Sequence, residues 1–253
     1  MRQAVKKSQH IFLSFLSLFL FLSLWEITVE VFDISKTVLI KPTEVFNSIF
    51  INYDIILPEL LYSISEIFPG WIIGNVVGFL VGVLIYRKEK VSSSLTSWAV
   101  VINAVPLIAL SAILGGIMGT DRDQKILLIS LILFFPMFIT TLSQLKVIDQ
   151  NLNDLLISYS ATPKQILFKL LIPKSMPFIL DVLKVNAITA IFTGITAEFF
   201  GGYGGIGIFI LSKKGLFNLE LVWASIFCIA IFGSIFYFSL DLIQKKVLPW
   251  YRS

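Results

Sequence analysis

Apolar and polar residues alternate along the chain in long blocks, and six of these blocks are apolar. They lie at residues 11–31, 63–86, 97–118, 125–145, 178–200 and 221–243. Each block is close to the roughly 20 residues that a helix needs to cross about 30 Å of hydrocarbon. The pattern therefore predicts an all-α membrane protein. We expect six transmembrane helices in one domain over residues 1–253, with an external segment at about residues 32–60.

The first apolar block follows three basic residues, Arg2, Lys6 and Lys7, as the apolar region of a signal peptide does. Its apolar run is long, however, and no small-residue cleavage site of the A-x-A type follows it. We therefore interpret this block as a retained transmembrane span.

Basic residues are distributed unevenly between the two sides of this predicted bundle. One side holds thirteen: Arg2, Lys6, Lys7, Arg87, Lys88, Lys90, Lys146, Lys164, Lys169, Lys174, Lys245, Lys246 and Arg252. The other side holds six: Lys36, Lys41, Arg122, Lys125, Lys213 and Lys214. Because loops rich in lysine and arginine stay in the cytoplasm, both termini are predicted to be cytoplasmic, in the plasma (inner) membrane of a bacterium.

A polar segment at about residues 150–174 separates the fourth apolar block from the fifth, on the predicted cytoplasmic side. Its first half carries apolar residues at helical spacing: Leu152, Leu155, Leu156 and Tyr159. This spacing predicts a short amphipathic helix that begins after Asn151 or Asn153. Asp154 would then lie in the first turn, where a carboxylate interacts favourably with the positive end of the helix dipole.

Residues 160–163 predict a break in the chain and the start of a second helix. Thr162 is a suitable N-cap, and Pro163 suits the first helical position. We expect this second helix to continue to about Leu171 and to end at Pro173 and Pro177. Two short helices at an angle would form a projection that a soluble partner can bind.

Four glycines in the second apolar block recur every four residues: Gly70, Gly74, Gly78 and Gly82. They therefore share one helix face, and small residues at this spacing let two membrane helices approach closely. The contact is expected within the chain, the alternative being a contact between two copies. Three prolines, Pro69, Pro106 and Pro136, are expected to kink or end helices.

Composition supports the membrane class and excludes several others. The chain is 57% apolar and 14% charged, with a mean hydropathy of +0.89, whereas soluble domains are usually nearer a quarter charged. The net charge of +4 arises from residues between the spans, which argues against nucleic-acid binding. One cysteine, Cys228, and one histidine, His10, exclude an intrachain disulfide and make a Cys/His metal site or a Ser/His/Asp triad untenable.

Several short motifs resemble those of one transporter family. Asp154-(x5)-Ser160-Ala161-(x4)-Ile166-Leu167-(x4)-Ile172-Pro173 resembles the EAA loop of ABC-importer permeases. The segments at 40–45 (IKPTEV), 104–110 (AVPLIAL), 134–136 (FFP), 197–201 (AEFFG) and 204–207 (GGIG) resemble signatures of the nitrate/sulfonate/taurine-type permeases. The resemblance covers roughly residues 40–250, and the motifs occur in the family's order.

This resemblance implies a type I ABC-importer permease that works by alternating access, with a coupling helix between spans four and five. The implied cargo is a small solute of the nitrate/sulfonate/taurine or vitamin-precursor class. Its ATPase-coupling residues would be Asp154, Ser160, Ala161, Thr162, Pro163, Ile166, Leu167 and Pro173. The implied partners are a dimer of ATP-binding subunits, a second copy of this permease or a related one, and an external substrate-binding protein. The chain has no G-x-x-x-x-G-K-[ST] phosphate-binding loop, so any ATP would bind the partner subunit and the chain would be no enzyme.

The coupling segment departs from the family pattern at a few positions. Asp154 replaces the family's glutamate, Leu155 and Leu156 replace its two alanines, and Ser160 replaces its glycine. If the bend requires a positive φ at residue 160, serine is less favourable there than glycine.

Polar residues within the predicted spans are the candidates for the translocation pathway: Glu198, Thr193, Thr196 and Asn103. Two interpretations of Glu198 stand side by side: it lines an outer gate, or it orders the glycine-rich loop at residues 201–207. Asp181 and Lys184 are expected to pair with each other. Asn75 and Asn103 are interpreted as groups that hydrogen-bond between helices, which for Asn103 is the alternative to lining the pathway. A secondary transporter or channel that acts alone, and a membrane scaffold that does not transport, remain alternatives for the whole chain.

Overall fold

A computed structural model describes residues 2–103, 105–147 and 150–249, and every regular element in these residues is helical. The helices are α1 (Arg2–Val31), α2 (Pro42–Ile51), α3 (Tyr53–Ile85), α4 (Glu89–Asn103), α5 (Leu107–Met118), α6 (Arg122–Lys146), α7 (Gln150–Ser158), α8 (Pro163–Ile166), α9 (Ile172–Glu198), α10 (Ile206–Gly215) and α11 (Leu219–Val247). A π-helical turn at Leu167–Leu171 joins α8 to α9.

Four helical stretches in the described part of the chain are long and apolar enough to cross a membrane. They are Tyr53–Ile85, Arg122–Lys146, Pro163–Glu198 and Leu219–Val247. These stretches contain the second, fourth, fifth and sixth predicted spans, so the prediction of an all-helical, multi-pass membrane chain is confirmed. The helix that contains the second predicted span is longer than predicted. This helix, α3, begins ten residues before residue 63 and includes the polar residues Asp54 and Glu59.

The predicted span over residues 97–118 is interrupted at Pro106, one of the three prolines expected to kink or end helices, whereas Pro69 and Pro136 lie inside α3 and α6. The chain forms α4 up to Asn103 and α5 from Leu107, with Pro106 at the N-cap of α5 in a non-helical conformation (φ −57°, ψ 131°). Proline has no N–H to donate and disfavours helical geometry in the residue before it. The 12-residue α5 is therefore apolar but short.

The glycines of α3 form the closest helix contact of the fold. A Cβ atom built on Gly74 would lie 2.6 Å from the carbonyl oxygen of Ser130, and one on Gly78 would lie 2.6 Å from that of Phe134. Gly70 and Gly82 likewise abut Ile129 and Thr141 of α6. The ridge thus packs α3 against α6 within one chain, as predicted, and no side chain can be accommodated between the two backbones.

A buried amide pair ties α9 to this helix pair. The Asn186 side chain donates hydrogen bonds to Asn75 Oδ1 at 2.6 Å and to the Leu133 carbonyl at 3.2 Å. Asn75 in turn donates to the Trp71 carbonyl at 2.7 Å. Because amide groups in a lipid-embedded bundle have no water to bond, they hydrogen-bond other helices. The expectation that Asn75 is such a group is confirmed, whereas the Asn103 side chain lies outside the described part of the structure.

The segment between α1 and α3 is ordered by contacts from other helices. Lys41 is the N-cap residue of α2, and its side chain makes no capping bond. Glu26 of α1 takes that role, accepting hydrogen bonds from the Thr43 N–H at 3.1 Å and the Thr43 hydroxyl at 2.7 Å. A carboxylate suits this position because the first N–H groups of a helix lack partners.

Polar residues also join the first half of α9 to the last part of α11. Lys184 pairs with Asp181 at 3.0 Å, as predicted, and it reaches Asp241 of α11 at 3.4 Å. Gln244 donates to Asp181 at 3.1 Å. This network fixes the two helices beside the polar segment that precedes α9.

The glycine ridge predicts a steep penalty for adding one methyl group. Replacing Gly78 by alanine forces the α6 backbone away, so we expect a loss of about 1–3 kcal/mol in unfolding free energy. Thermal unfolding of the detergent-solubilised protein measures this. Gly116→Ala is the matched control, because a Cβ there meets nothing within 4 Å. A destabilisation of equal size in both variants would contradict the packing argument.

Candidate functional site

The first half of the 150–174 segment is the amphipathic helix α7, which begins earlier than predicted. Asp154 is the fifth residue of α7 as described, so the prediction that it lies in the first turn is wrong. Residues 148 and 149, where the helix would be capped, lie outside the described residues. The exposed carboxylate of Asp154 is thus a surface charge on α7, one turn away from the helix end.

The bend after α7 requires a left-handed residue, and that residue is Ser160. Its φ is +57°, a conformation that costs an L-residue roughly 1–2 kcal/mol relative to glycine. The turn is closed by two backbone hydrogen bonds, from Ser160 N–H to the Ile157 carbonyl at 2.8 Å and from Ala161 N–H to the Leu156 carbonyl at 3.0 Å. Ala161 is partly buried against an apolar cluster that contains Leu145, Ile166 and Leu171.

The restart of the helix follows the predicted chemistry. Pro163 is the first residue of α8, and the Thr162 hydroxyl accepts a hydrogen bond from the Gln165 N–H. The Gln165 side chain returns the bond, accepting from the Thr162 N–H at 2.7 Å. This is a complete capping box. A motif of a few residues therefore fixes the start of α8 independently of the rest of the bundle.

The prediction that Pro173 and Pro177 end this helix is wrong. The chain stays helical from Pro163 to Glu198, through a π turn in which the Ile172 N–H bonds the Leu167 carbonyl five residues back. Pro173 lies in the first turn of α9, where its missing N–H leaves an acceptor without its usual donor. A widened turn directly before Pro173 lets the helix pass the proline without a break.

An apolar cluster anchors the segment on the bundle. Ile166 and Leu171 are buried against Leu145 of α6. Val83 of α3, Tyr86 at the C-cap of α3, and Leu167 pack around them. The opposite side presents apolar residues to solvent: Leu152, Leu155, Ile157, Tyr159 and Phe168. Tyr159 and Phe168 are 78% and 64% exposed. The segment therefore combines a side packed on the bundle with several exposed apolar side chains.

A second group of functional candidates lies at the opposite end of α9, around Glu198. This carboxylate is buried, and it accepts hydrogen bonds from the Ser63 hydroxyl at 2.5 Å and the Gly207 N–H at 2.6 Å. Ser63 also accepts from the Ile206 N–H at 2.9 Å. Glu198 thus joins α3 and α9 to the start of α10.

The glycine loop, residues 201–207, folds directly over these side chains. Glu59 accepts a hydrogen bond from the Gly205 N–H at 2.8 Å. A Cβ on Gly205 would lie 2.4 Å from the Glu198 carboxyl carbon, and its φ of +112° disfavours any side chain. These contacts are those expected of a carboxylate that orders the loop, the second of the two interpretations of Glu198.

The remaining pathway candidates are not brought together on one surface. Thr193 is buried within the chain and its hydroxyl has no hydrogen-bond partner. Thr196 is half-buried. Because Glu198 and Thr193 face the interior of this chain, neither lies on a surface that a second chain could share in this conformation.

Sequence reasoning missed one buried ion pair beside the loop. Lys125, which was counted among the charges at the edge of the bundle, has no exposed side-chain area, and its ammonium lies 3.2 Å from Glu66 Oε1, which is equally buried. Apolar neighbours on both sides of Glu66, as in ISEIF, were the only available signal. Charges within apolar spans usually face a partner inside the bundle.

Comparison with known proteins identifies the family to which the chain belongs. The model of the family described as "Binding-protein-dependent transport system inner membrane component" matches residues 74–253. The chain is 24% identical to the formylaminopyrimidine transport permease protein ThiX of Halalkalibacterium halodurans, covering 90% of this chain and 91% of that protein. It is 25% identical to the taurine transport system permease protein TauC of Escherichia coli, covering 76% of this chain and 70% of that one.

Two further similarities agree with these. The putative aliphatic sulfonates transport permease protein SsuC of Bacillus subtilis is 24% identical, covering 92% of this chain and 85% of SsuC. Among solved structures, a chain of the inward-facing MetNI methionine ABC transporter superposes with a TM-score of 0.68 at 20% identity, covering 76% of this chain and 95% of that one. At that identity the likeness shows a shared fold.

Ser160 offers a direct test of the bend. Replacing it by glycine removes the left-handed penalty, so we expect the turn to be stabilised by about 1 kcal/mol. Hydrogen–deuterium exchange of the Ala161 amide, which closes the turn, should slow by roughly fivefold. Ser158→Gly is the control, because Ser158 is helical and glycine there should speed exchange. Faster exchange in Ser160→Gly would rule out strain at this residue.

Gly205 tests the loop. An alanine there combines an unfavourable φ with overlap on a buried carboxylate, and we expect a loss of about 2–5 kcal/mol. Thermal unfolding measures this loss of stability, and limited proteolysis measures loosening of the loop, with cleavage expected first within residues 199–205. Gly215→Ala, whose Cβ meets no atom within 4 Å, should resemble the wild type. Equal resistance in the Gly205 variant would mean that Glu198 does not hold the loop.

Proposed function

Since the chain belongs to the binding-protein-dependent transport system inner membrane components, we propose that it is the permease subunit of an ATP-driven importer. The observation that carries this proposal is the 150–174 segment. Its inner side is anchored on α3 and α6, and its outer side exposes apolar residues such as Tyr159 and Phe168. A solvent-facing apolar patch on a rigid support is typical of a protein–protein interface.

We infer six membrane spans with both termini in the cytoplasm. They correspond to α1, α3, the interrupted pair α4 and α5, α6, α9 preceded by its π turn, and α11. The excess of basic residues on the side of the N-terminus supports this orientation. In it, the 150–174 segment faces the cytoplasm and the glycine loop faces outward.

The segment then acts as the coupling helix. Separate ATP-binding subunits bind its exposed face, and ATP-driven closure of those subunits moves α7 and α8. The exposed Asp154 supplies a charged contact to these subunits, and the Thr162 capping box with Pro163 fixes the start of α8. Anchoring through Ile166, Leu167 and Leu171 transmits the displacement to α3 and α6. The ATP binds and is hydrolysed on the partner subunits.

Transport requires a second permease, either another copy of this chain or a relative. A single six-helix chain has too little lumen for a closed translocation path, so the pathway runs between two permeases and opens alternately to each side. The half-buried Thr196, and Asn103 at the end of α4, are the candidates to line it. Glu198 acts from within, by ordering the loop at the outer end.

The solute is small and is delivered by an external binding protein. ThiX, TauC and SsuC are named for formylaminopyrimidine, taurine and aliphatic sulfonates, and we place this chain in the same substrate range. Discrimination among these solutes rests first on the pocket of the binding protein, which takes up the solute before it reaches the permease.

The proposal is tested with the permease reconstituted in vesicles with its ATP-binding subunit and loaded binding protein. Uptake should require ATP and persist when ion gradients are collapsed. Phe168→Ala removes an exposed aromatic contact and should weaken binding of the ATP-binding subunit by about 2 kcal/mol, roughly 30-fold. Uptake should fall with it, while thermal stability stays unchanged.

Phe50→Ala is the matched control. Phe50 is 77% exposed on α2, away from the 150–174 segment, so its loss should leave subunit binding and uptake unchanged. Uptake driven by an ion gradient without the ATP-binding subunit would identify a secondary transporter instead. Subunit binding without solute-stimulated ATP hydrolysis would identify a scaffold.

A further inference from the structure

Three ionisable side chains are buried together at the end of the bundle that carries the glycine loop. Lys125 of α6 and Glu66 of α3 have no exposed side-chain area, and Glu198 of α9 is 1% exposed. Charged groups are seldom buried in pairs without a reason, because each loses its hydration. The function proposed above uses Glu198 and leaves the Lys125–Glu66 pair unexplained.

The ion pair is not the closest contact between α3 and α6. That contact is made by the glycine ridge, which runs from Gly70 to Gly82. Glu66 precedes Gly70 by one helical turn, so the pair lies beyond the end of the ridge. A buried pair is in any case weak evidence for stability, because apolar residues of similar volume often replace such pairs without loss.

The lysine also contacts the glycine loop. Gly202 has a φ of +138°, and a Cβ built on it would lie 2.4 Å from Lys125 Nζ. The loop backbone therefore rests on the ammonium group. Next to it, Gly201 abuts the Thr120 side chain and Gly204 abuts the Tyr62 ring. The ring of Tyr62 also lies 5.7 Å from the Lys125 nitrogen.

Contacts to the loop thus divide into two groups. Its second half is bonded by Glu59, Ser63 and Glu198. Its first half makes no such bond to a carboxylate among the described contacts and lies instead on Lys125. Glu66 fixes the position of that lysine through one oxygen, and its other oxygen, Oε2, is buried without a hydrogen-bond partner.

We propose that Lys125 and Glu66 are positioning residues for the outer gate of the transporter, holding the first half of the glycine loop against α3 and α6. This inference rests on the proposed function. In the structure the ammonium lies against Gly202, and in the proposed gate this contact holds the loop in its closed position. A single bond between the two side chains leaves Glu66 Oε2 free to accept a new donor when the loop moves. The loop can therefore be released without unfolding the bundle.

The test replaces both charges at once, so that no unpaired charge is left buried. Lys125→Met with Glu66→Met keeps approximate volume with unbranched, adaptable side chains. In the reconstituted complex, ATP hydrolysis without binding protein should rise, and its stimulation by loaded binding protein should fall by about fivefold or more. The melting temperature should stay close to that of the wild type. Because this result does not distinguish positioning of the loop from a purely structural role of the pair, the ratio of stimulated to basal ATP hydrolysis is the deciding measurement.

A charge-swapped variant, Lys125→Glu with Glu66→Lys, separates pairing from positioning. It restores an ion pair but puts a carboxylate beneath Gly202, and the low stimulation ratio should persist. Wild-type stimulation in the double methionine variant, or its full recovery in the swapped one, overturns the inference.

If the double methionine variant does not fold, Gly202→Ala tests the same inference. It leaves the ion pair intact and displaces the loop from the ammonium, and the same fall in stimulation is expected, with Gly116→Ala as control. A normal ratio in Gly202→Ala overturns the inference. A wild-type complex without ATP-dependent uptake overturns the proposed function itself, and so the two failures are distinguishable.

Discussion

The close approach of α3 and α6 is the constraint on which the rest of the structure depends. Lipid supplies no hydrophobic driving force between helices, so their association relies on surface fit and hydrogen bonds. Glycines at every fourth position bring Gly74 and Gly78 against backbone carbonyls of α6. The two helices behave as one rigid body, and both candidate sites are built on its ends. One end holds the cluster of Val83, Tyr86 and Leu145, and the other holds Glu66 and Lys125.

This arrangement connects two sites that are far apart. About 20 residues of α3 separate Glu66 from Tyr86, a distance of roughly 30 Å along a helix. Neither site can shift far relative to this body without disturbing the glycine contact, because packed interfaces do not deform continuously. Displacement of the 150–174 segment therefore acts on α3 and α6 together. The glycine loop, which is bonded to the same helices, responds to the same movement.

Features set by residues close together in the sequence were the ones that the sequence predicted best. Thr162 and Pro163 carry a capping box and a helix start within a few residues, and the glycine ridge specifies a contact by spacing alone. Pro173 was misjudged because a preceding π turn, which no residue pattern signals, absorbs the missing hydrogen bond. Lys125 was misjudged for another reason. Its burial depends on Glu66 and Gly202, which are distant in sequence and meet only when α3, α6 and the loop are assembled.

The helix α9 provides a second, deformable connection between the two ends. It is fixed in its middle by Asn186, which bonds both Asn75 and the Leu133 carbonyl, and at its end by Glu198. Toward the 150–174 segment its backbone bonding is looser, with the π turn at Leu167–Leu171 and prolines at 173 and 177. Bending is cheapest where helical hydrogen bonds are already missing or lengthened. Bending between α8 and α9 is therefore expected in this part of the chain as α8 moves with α3 and α6, while the portion of α9 beyond Asn186 follows the rigid pair of α3 and α6.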